Sequence, residues 1–256
     1  MALPRLRDRL GEGGFVVSAW LGLTDPVVHE AFLRADFDAV TFDVQHGLHD
    51  TASLRAGIER AVLLGKPALV RLPIEDRALA ARVLDFGASA VMMPMIETAD
   101  EARAFVAAAK YPPLGQRSYG PTRAGELHGY ADRADYVADA RSETLAFAMI
   151  ETGASVDNLE AILAVDGLDG VFVGPSDLSI ALSGDGTLEP RGPQAEAAIK
   201  RIAAATSAAG KIATIYAGTP EDAKRYREYG YRLVCVGSDQ SMVVAGALAL
   251  AEAVRG

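Results

Sequence analysis

Cysteine is almost absent from these 256 residues: Cys235 stands alone, inside the apolar run Leu233 to Val236. A disulfide framework within the chain is therefore excluded, and a buried, reduced thiol is expected. Long apolar runs are missing too. The longest, Val243 to Ala251, is far short of the ~20 residues that a membrane-spanning helix needs. The opening MALPRLRDRLGEGG has basic residues but no apolar segment behind them, so a secretory signal is not expected and a cytoplasmic location is. No cluster of Lys and Arg occurs, and 25 basic against 34 acidic residues leave a net charge of −9, which argues against nucleic acid as a partner.

What is present is a rhythm, clearest from Leu145 to Ser179. Leu145 to Ile150 is a short apolar run stopped by Glu151-Thr152. Leu159, Ile162 and Leu163 then recur at helical spacing, the Asp166-Gly167 and Asp169-Gly170 pairs break that helix, and Val171 to Val173 forms a β-rich run ending at Gly174-Pro175. This strand–helix–strand unit sets the carboxyl ends of its two strands on one edge, where α/β sheets and α/β barrels bind ligands. The same pattern predicts further strands at Phe15 to Trp20, Asp38 to Val44, Pro67 to Leu72, Ser89 to Met95, Lys211 to Tyr216 and Arg232 to Val236, with helices between them. Eight strands, eight main helices and a length near the ~250 residues typical of that fold point to a single (β/α)8 TIM barrel over residues 1–256. The rhythm breaks at Tyr111 to Gly129, where Gly115 to Gly120 is expected as part of the rim or a lid, or else as a tolerated surface insertion, with a short extra helix at Tyr130 to Ala140. Ile180 to Pro193 is expected as a second Gly/Pro-rich loop.

In such a barrel the strand ends converge. They bring together Asp43, Gln45 and His46 after the second strand, Arg71 on the third, Glu151 on the fifth, Asp177 after the sixth and Tyr216 on the seventh. Two carboxylates without Cys or His beside them make an oxygen-donor site suited to Mg²⁺ or Mn²⁺ rather than zinc. Either acid could instead cap the helix it precedes. His46 is the one histidine that follows a strand end with an acid at i−3, an arrangement that supports acid/base chemistry, although a lone histidine is more often structural. A charge at Arg71, inside Ala-Leu-Val-Arg-Leu-Pro, needs a partner; a substrate oxyanion would serve, as would an ordinary ion pair. At Gly174-Pro175-Ser176-Asp177 glycine lets a ligand approach, and the N–H groups of Ser176 and Asp177 at a helix start suit a small carboxylate or phosphate. Of the five lysines, Lys66 precedes the third strand, Lys110 ends a helix, Lys200 and Lys224 lie in helices and Lys211 begins the seventh strand; none stands at a strand's carboxyl end, so Schiff-base chemistry lacks its amine and a metal is left as the electron sink.

These residues carry a resemblance. Asp-x-x-His at Asp43 to His46, Val-Arg-x-Pro at Val70 to Pro73, Leu-Asp-x-Gly-Ala at Leu84 to Ala88, Tyr-Pro-Pro-x-Gly-x-Arg at Tyr111 to Arg117, Ile-Glu-Thr at Ile150 to Thr152 and the Gly-Pro-Ser-Asp-Leu-Ser run from Gly174 together resemble the HpcH/HpaI family of class II, metal-dependent pyruvate aldolases. The resemblance implies that Glu151 and Asp177 ligate a divalent metal (Mg²⁺ or Mn²⁺, with Co²⁺ possible), waters and a bidentate 2-oxo acid completing an octahedron. It implies that His46, supported by Asp43, is the acid/base, that Arg71 holds the keto oxygen and that Gly174 to Asp177, with Pro175 and Ser176, bind the carboxylate. Asp85 would reach a neighbouring subunit's site in a homohexamer whose last helix is exchanged. Three positions depart from the family pattern: Met149 where many members have Gln, Gln45 where Glu is common, and Tyr216 where Leu is frequent near the incoming aldehyde. They hint at a donor more polar than pyruvate, such as hydroxypyruvate. The expected reaction is reversible cleavage of a 4-hydroxy-2-oxo acid to pyruvate or hydroxypyruvate and an aldehyde. Its rivals are an acyl-CoA lyase of the citramalyl- or malyl-CoA type, disfavoured by the lack of a basic cluster for CoA's phosphates, and a non-catalytic barrel that binds a 2-oxo acid.

Overall fold

The computed structural model describes residues 5–11, 13–121 and 123–255. After a helical turn, α1 (Leu6–Arg9), the chain alternates: β1 (Val16–Leu21), α2 (Pro26–Arg34), β2 (Ala39–Asp43), α3 (Thr51–Leu63), β3 (Ala68–Arg71), α4 (Arg77–Phe86), β4 (Ala90–Met93) and α5 (Ala99–Ala109). Two helices, α6 (Ala124–Leu127) and α7 (Arg133–Glu143), precede β5 (Leu145–Ile150). The second half runs α8 (Gly153–Asp157), α9 (Leu159–Leu163), β6 (Gly170–Val173), α10 (Pro175–Ser183), α11 (Pro193–Ala208), β7 (Ile212–Ala217), α12 (Pro220–Glu228), β8 (Leu233–Val236) and α13 (Asp239–Arg255). All eight strands pair in parallel, and β8 pairs back onto β1 to close the barrel.

Closure explains why the strands read as unbroken apolar runs: both faces are covered. Along β5, Ala146, Ala148 and Ile150 pack outward with the helices, whereas Leu145, Phe147 and Met149 fill the interior with Trp20, Leu69, Met92 and Phe172. Leu6 and Leu10, four residues apart on one face of α1, join the interior cluster. The strict alternation of a strand also decides what stands above this interior. Residues two beyond an inward side chain point the same way, so Asp43 (after Ala39 and Thr41), Arg71 (after Leu69) and Glu151 (after Phe147 and Met149) share the mouth with Trp20 and Tyr216.

Helix starts follow the local chemistry. Asp25 accepts from the N–H groups of Val27 and Val28 with Pro26 at the first helical position, and Thr98 and Glu101 form a reciprocal capping box. Three expectations need correction. The helix between β5 and β6 is two short helices meeting at Asn158. Residues 180–183 belong to α10, whose Leu178 and Ser179 are buried and which stops at Gly184 with φ +76°, so the loop begins there rather than at Ile180.

The third concerns Gly115 to Gly120, which lies away from the mouth. A connection from a helix to the next strand falls at the strands' amino ends, opposite the mouth. There Arg117 pairs with Asp85 at 2.5 Å, and Lys110 with Asp169, just before β6, at 2.6 Å.

Helix α13 is the least covered element. Val243, Val244, Leu248, Leu250 and Val254 are all at least half exposed, and its buried residue is Asp239 at the root. No helix among the described residues is long and apolar enough to cross a membrane.

Candidate active site

At the mouth, β2 and β3 are registered so that Asp43 stands opposite Arg71. Their side chains form a two-pronged pair: Nε of Arg71 donates to Oδ1 of Asp43 at 2.9 Å and Nη2 to Oδ2 at 2.7 Å. Burial alone would raise the Asp43 carboxyl, but the guanidinium outweighs it and holds the group below the usual carboxylate range. The Arg71 guanidinium also lies 4.8 Å from the centre of the Trp20 ring, which stacks on Phe172 and meets Tyr216 edge-on at 5.3 Å. Arg71 is thus held flat between an acid and an aromatic plate, with Nη1 making no hydrogen bond among the described residues.

Oδ1 of Asp43 has a second task, accepting the backbone N–H groups of Gln45 (3.2 Å) and His46 (3.3 Å). The aspartate therefore shapes the turn that carries His46. The imidazole itself is exposed and makes no hydrogen bond to Asp43 among the described residues, so the support that the sequence expects from Asp43 reaches His46 through its backbone N–H and not its ring. Gln45 is partly buried, and its Oε1 has no partner among the described residues.

Glu151 follows β5 and is 2 % exposed. One oxygen, Oε1, accepts the N–H of Met95 at 2.9 Å; Met95 takes a positive φ of 56° just past β4 to present it. The other, Oε2, is buried and has no hydrogen-bond partner among the described residues. Burial, opposed by the Met95 hydrogen bond, and the nearby charge of Asp177 together push the Glu151 carboxyl up to about 7. Across from it, a Cβ on Gly174 would sit 2.5 Å from Oε2, so glycine here keeps open the space beside the free oxygen. Asp177 is exposed in the first turn of α10, a helix whose start has no side-chain cap and whose Pro175 has no N–H to give. No cluster of three or more His, Cys, Asp or Glu side chains suited to a metal occurs among the described residues. The donor set is two carboxylates, one with a buried unsatisfied oxygen, and this fits a hard divalent cation that keeps several oxygen ligands from water or substrate.

Tyr216, Pro175 and Ser176 line a cavity of about 550 Å³ that extends to Arg191, Thr219 and Asp222. Met149 is fully buried beneath Glu151 and near Gly174, in the barrel interior. Asp85 is not part of this constellation within one chain: it lies near the end of α4, on the opposite side of the barrel, bound to Arg117. Sequence reasoning passed over Trp20 and Met95. The first had a signal, as the chain's one tryptophan at a predicted strand end; the second, a backbone N–H, had none.

The mouth of this closed parallel barrel thus carries two carboxylates, an acid-clamped arginine and an uncapped helix start. Residues 17–245 match the HpcH/HpaI aldolase/citrate lyase family, and the chain belongs to it. It is 38% identical to a hydroxypyruvate/pyruvate aldolase of Roseovarius nubinhibens, over 93% of this chain and 91% of that one. It is 34% identical to a 5-keto-4-deoxy-D-glucarate aldolase of Klebsiella pneumoniae, over 93% and 92%. Among solved structures it superposes on an HpcH/HpaI aldolase of Desulfitobacterium hafniense with a TM-score of 0.90 at 26% identity, covering 98% and 96% of the two chains.

Proposed function

We propose that this chain is a divalent-metal-dependent, class II aldolase that reversibly cleaves a 4-hydroxy-2-oxo acid into pyruvate or hydroxypyruvate and an aldehyde. The observation that carries the reading is the unpartnered, buried Oε2 of Glu151 beside the open space at Gly174. Glu151 and Asp177 would hold Mg²⁺ or Mn²⁺, which when bound supplies the positive charge that draws electrons from the 2-oxo acid as its C3–C4 bond breaks.

The chain's own groups do the rest. The N–H groups of Ser176 and Asp177 receive the substrate carboxylate at the start of α10, with Gly174 and Pro175 shaping the turn. Arg71, fixed by Asp43 and Trp20, offers its free Nη1 edge to the keto oxygen. The His46 imidazole takes the proton from the C4 hydroxyl as the aldehyde leaves and delivers it to C3 of the enolate, giving the free oxo acid; in the reverse direction it removes that C3 proton and returns it to the alkoxide formed from the aldehyde. Gln45, with its unsatisfied Oε1, and Tyr216 face the donor and acceptor ends. Gln45 in particular favours a donor with a C3 hydroxyl, in line with the hydroxypyruvate/pyruvate aldolase relatives.

The enzyme would act in the cytoplasm as one domain spanning residues 1–256, assembled as a homohexamer in which the exposed apolar face of α13 is exchanged between subunits and Asp85 approaches a neighbour's mouth.

Proton NMR of pyruvate's methyl group in D₂O tests the chemistry without knowledge of the aldehyde. With Mg²⁺ or Mn²⁺ present the signal should decay by exchange, and EDTA should stop the decay. Absence of exchange with either metal, for both pyruvate and hydroxypyruvate, would rule the reading out.

A further inference from the structure

The loop after β1 is held in an unusual way. Each backbone group from the Leu21 carbonyl to the Leu23 carbonyl is bonded to a group from another element. The Leu21 carbonyl accepts from Nε2 of His49 at 3.1 Å. The Gly22 N–H donates to Oδ1 of Asp239 at 2.9 Å, and the Gly22 carbonyl accepts the Leu48 N–H at 2.8 Å. The Leu23 N–H donates to Oδ2 of Asp239 at 2.9 Å, and the Leu23 carbonyl accepts from Nε2 of His29 at 2.7 Å. The partners come from α2, from the loop after β2 and from the root of α13.

Two of those bonds, through Leu48 and His49, belong to the segment that carries His46. That segment is pressed against the β1 loop: a Cβ on Gly47 would lie 2.2 Å from the Asp43 carbonyl oxygen and 3.0 Å from the Gly22 Cα. The His46 backbone is thus fixed from both sides. Its own N–H is held by Asp43, and three residues on His49 pins the segment to Leu21.

The tautomer follows from the acceptor. A carbonyl oxygen only accepts, so Nε2 of His49 must carry the hydrogen, and Nδ1 of the neutral ring is bare. Nδ1 is buried and has no partner among the described residues, and the residue is 8 % exposed. Its neighbours are the His29 ring at 5.4 Å, the Phe42 ring at 5.5 Å, and the charges of Asp239 and Asp43. Protonating Nδ1 would bury an unpaired N–H beside a second imidazole, which burial already resists. His49 is therefore built to work as a neutral donor.

We propose that His49, as the neutral Nε2–H tautomer, is a positioning residue for His46, and that with Asp239 it clamps the acid/base loop to the loop after β1. This rests on the aldolase reading in assigning His46 its role. The clamp serves chemistry more than binding, since none of its members lines the place where the oxo acid's carboxylate would sit.

The test uses the full-length, metal-loaded protein and the pyruvate methyl exchange at varied pyruvate concentration. His49→Leu, which keeps bulk and removes the donor, should lower kcat for exchange by about 10- to 100-fold with the KM for pyruvate within about twofold of wild type, the scale expected when a reacting group is slightly misplaced. His49→Gln, a neutral N–H donor of similar reach, should restore kcat to within a few-fold. If His49→Leu does not fold, His49→Ser, which also lacks a donor at that distance, takes its place. Wild-type kcat in a folded Leu or Ser variant, or a Gln variant as slow as Leu or Ser, overturns the positioning role. No exchange by the wild-type enzyme would instead count against the aldolase reading itself, so the two failures are distinguishable.

Discussion

Two acids at opposite ends of this barrel, Asp169 partly buried and Glu151 buried, live in contrasting ways. Asp169, at the amino end, accepts from Lys110 at 2.6 Å and from the Ala146 N–H at 2.8 Å, and Arg7 closes on its other oxygen. Lys110 is in turn satisfied by the Thr144 carbonyl. Glu151, at the carboxyl end, has one backbone N–H and an oxygen with nothing. Burying a charge is costly unless it is paired, so a fold that needed only stability would have treated both acids alike. The difference teaches where function lies: the amino end has spent its charges on itself, and the mouth has kept one in reserve. Arg117 is intermediate, paired with Asp85 and laid 4.4 Å over the Tyr111 ring, yet with Nε and Nη1 unpartnered, on the face proposed to meet a neighbouring subunit.

The contrast breaks most visibly on exchanging charge for shape. Glu151→Gln should cost turnover at least about a thousandfold, or ~4 kcal/mol of barrier, while leaving the metal-free fold intact or firmer at neutral pH. Lys110→Met should do the reverse. It removes the lysine from the Asp169 pair, which keeps Arg7 and the Ala146 N–H, and takes the donor from the Thr144 carbonyl, so it should lower stability by about 1–3 kcal/mol, with pyruvate exchange per folded molecule unchanged. Paired urea titrations and exchange assays on the two variants check both halves; a Glu151→Gln variant that turns over normally would erase the distinction.

The next effect is one of pH. Because the Glu151 carboxyl is pushed up to about 7 against an ordinary value of 4.5, the folded, metal-free protein holds a proton that the unfolded chain has lost. That contribution is fully present below about 4.5 and is lost as pH rises through about 7, roughly 3 kcal/mol in all. A divalent cation competes for the same oxygen. Its apparent affinity should therefore fall close to tenfold per pH unit below 7 and level off above it, with protons released on binding, as calorimetry in buffers of different ionisation enthalpy would record. An affinity flat from pH 5.5 to 7 would mean that Glu151 is not a ligand.

The barrel and most of its mouth were legible in the sequence because both rest on short-range rules. Strand ends are marked by breakers, and the alternation of side chains assigns Asp43, Arg71, Glu151 and Tyr216 to one layer. Asp43 was misread in detail, as a partner of the His46 ring, since nothing local says that Arg71, on the next strand, will take its oxygens first. Gly115 to Gly120 was set at the wrong end by the Gly and Pro content around it, although topology alone sends a helix-to-strand connection to the amino end. The Asp239 anchor and the Met95 N–H join residues far apart in the chain and needed the closed barrel to be seen.

The smallest expected effect concerns the aromatic plate. Asp43 holds Arg71 at one edge through two hydrogen bonds, and Trp20 supports its flat face at 4.8 Å. A cation over an indole contributes about 2 kcal/mol when desolvated, far less than a buried pair. Trp20→Leu should therefore keep the Asp43–Arg71 pair and lower kcat/KM for the oxo acid by about 5- to 30-fold, the range that 1–2 kcal/mol spans. Trp20→Phe, which retains a π face, should recover part of that loss. If Leu and Phe behave alike, the indole acts only as filler between Phe172 and Tyr216, and the arginine owes its orientation to the acid alone.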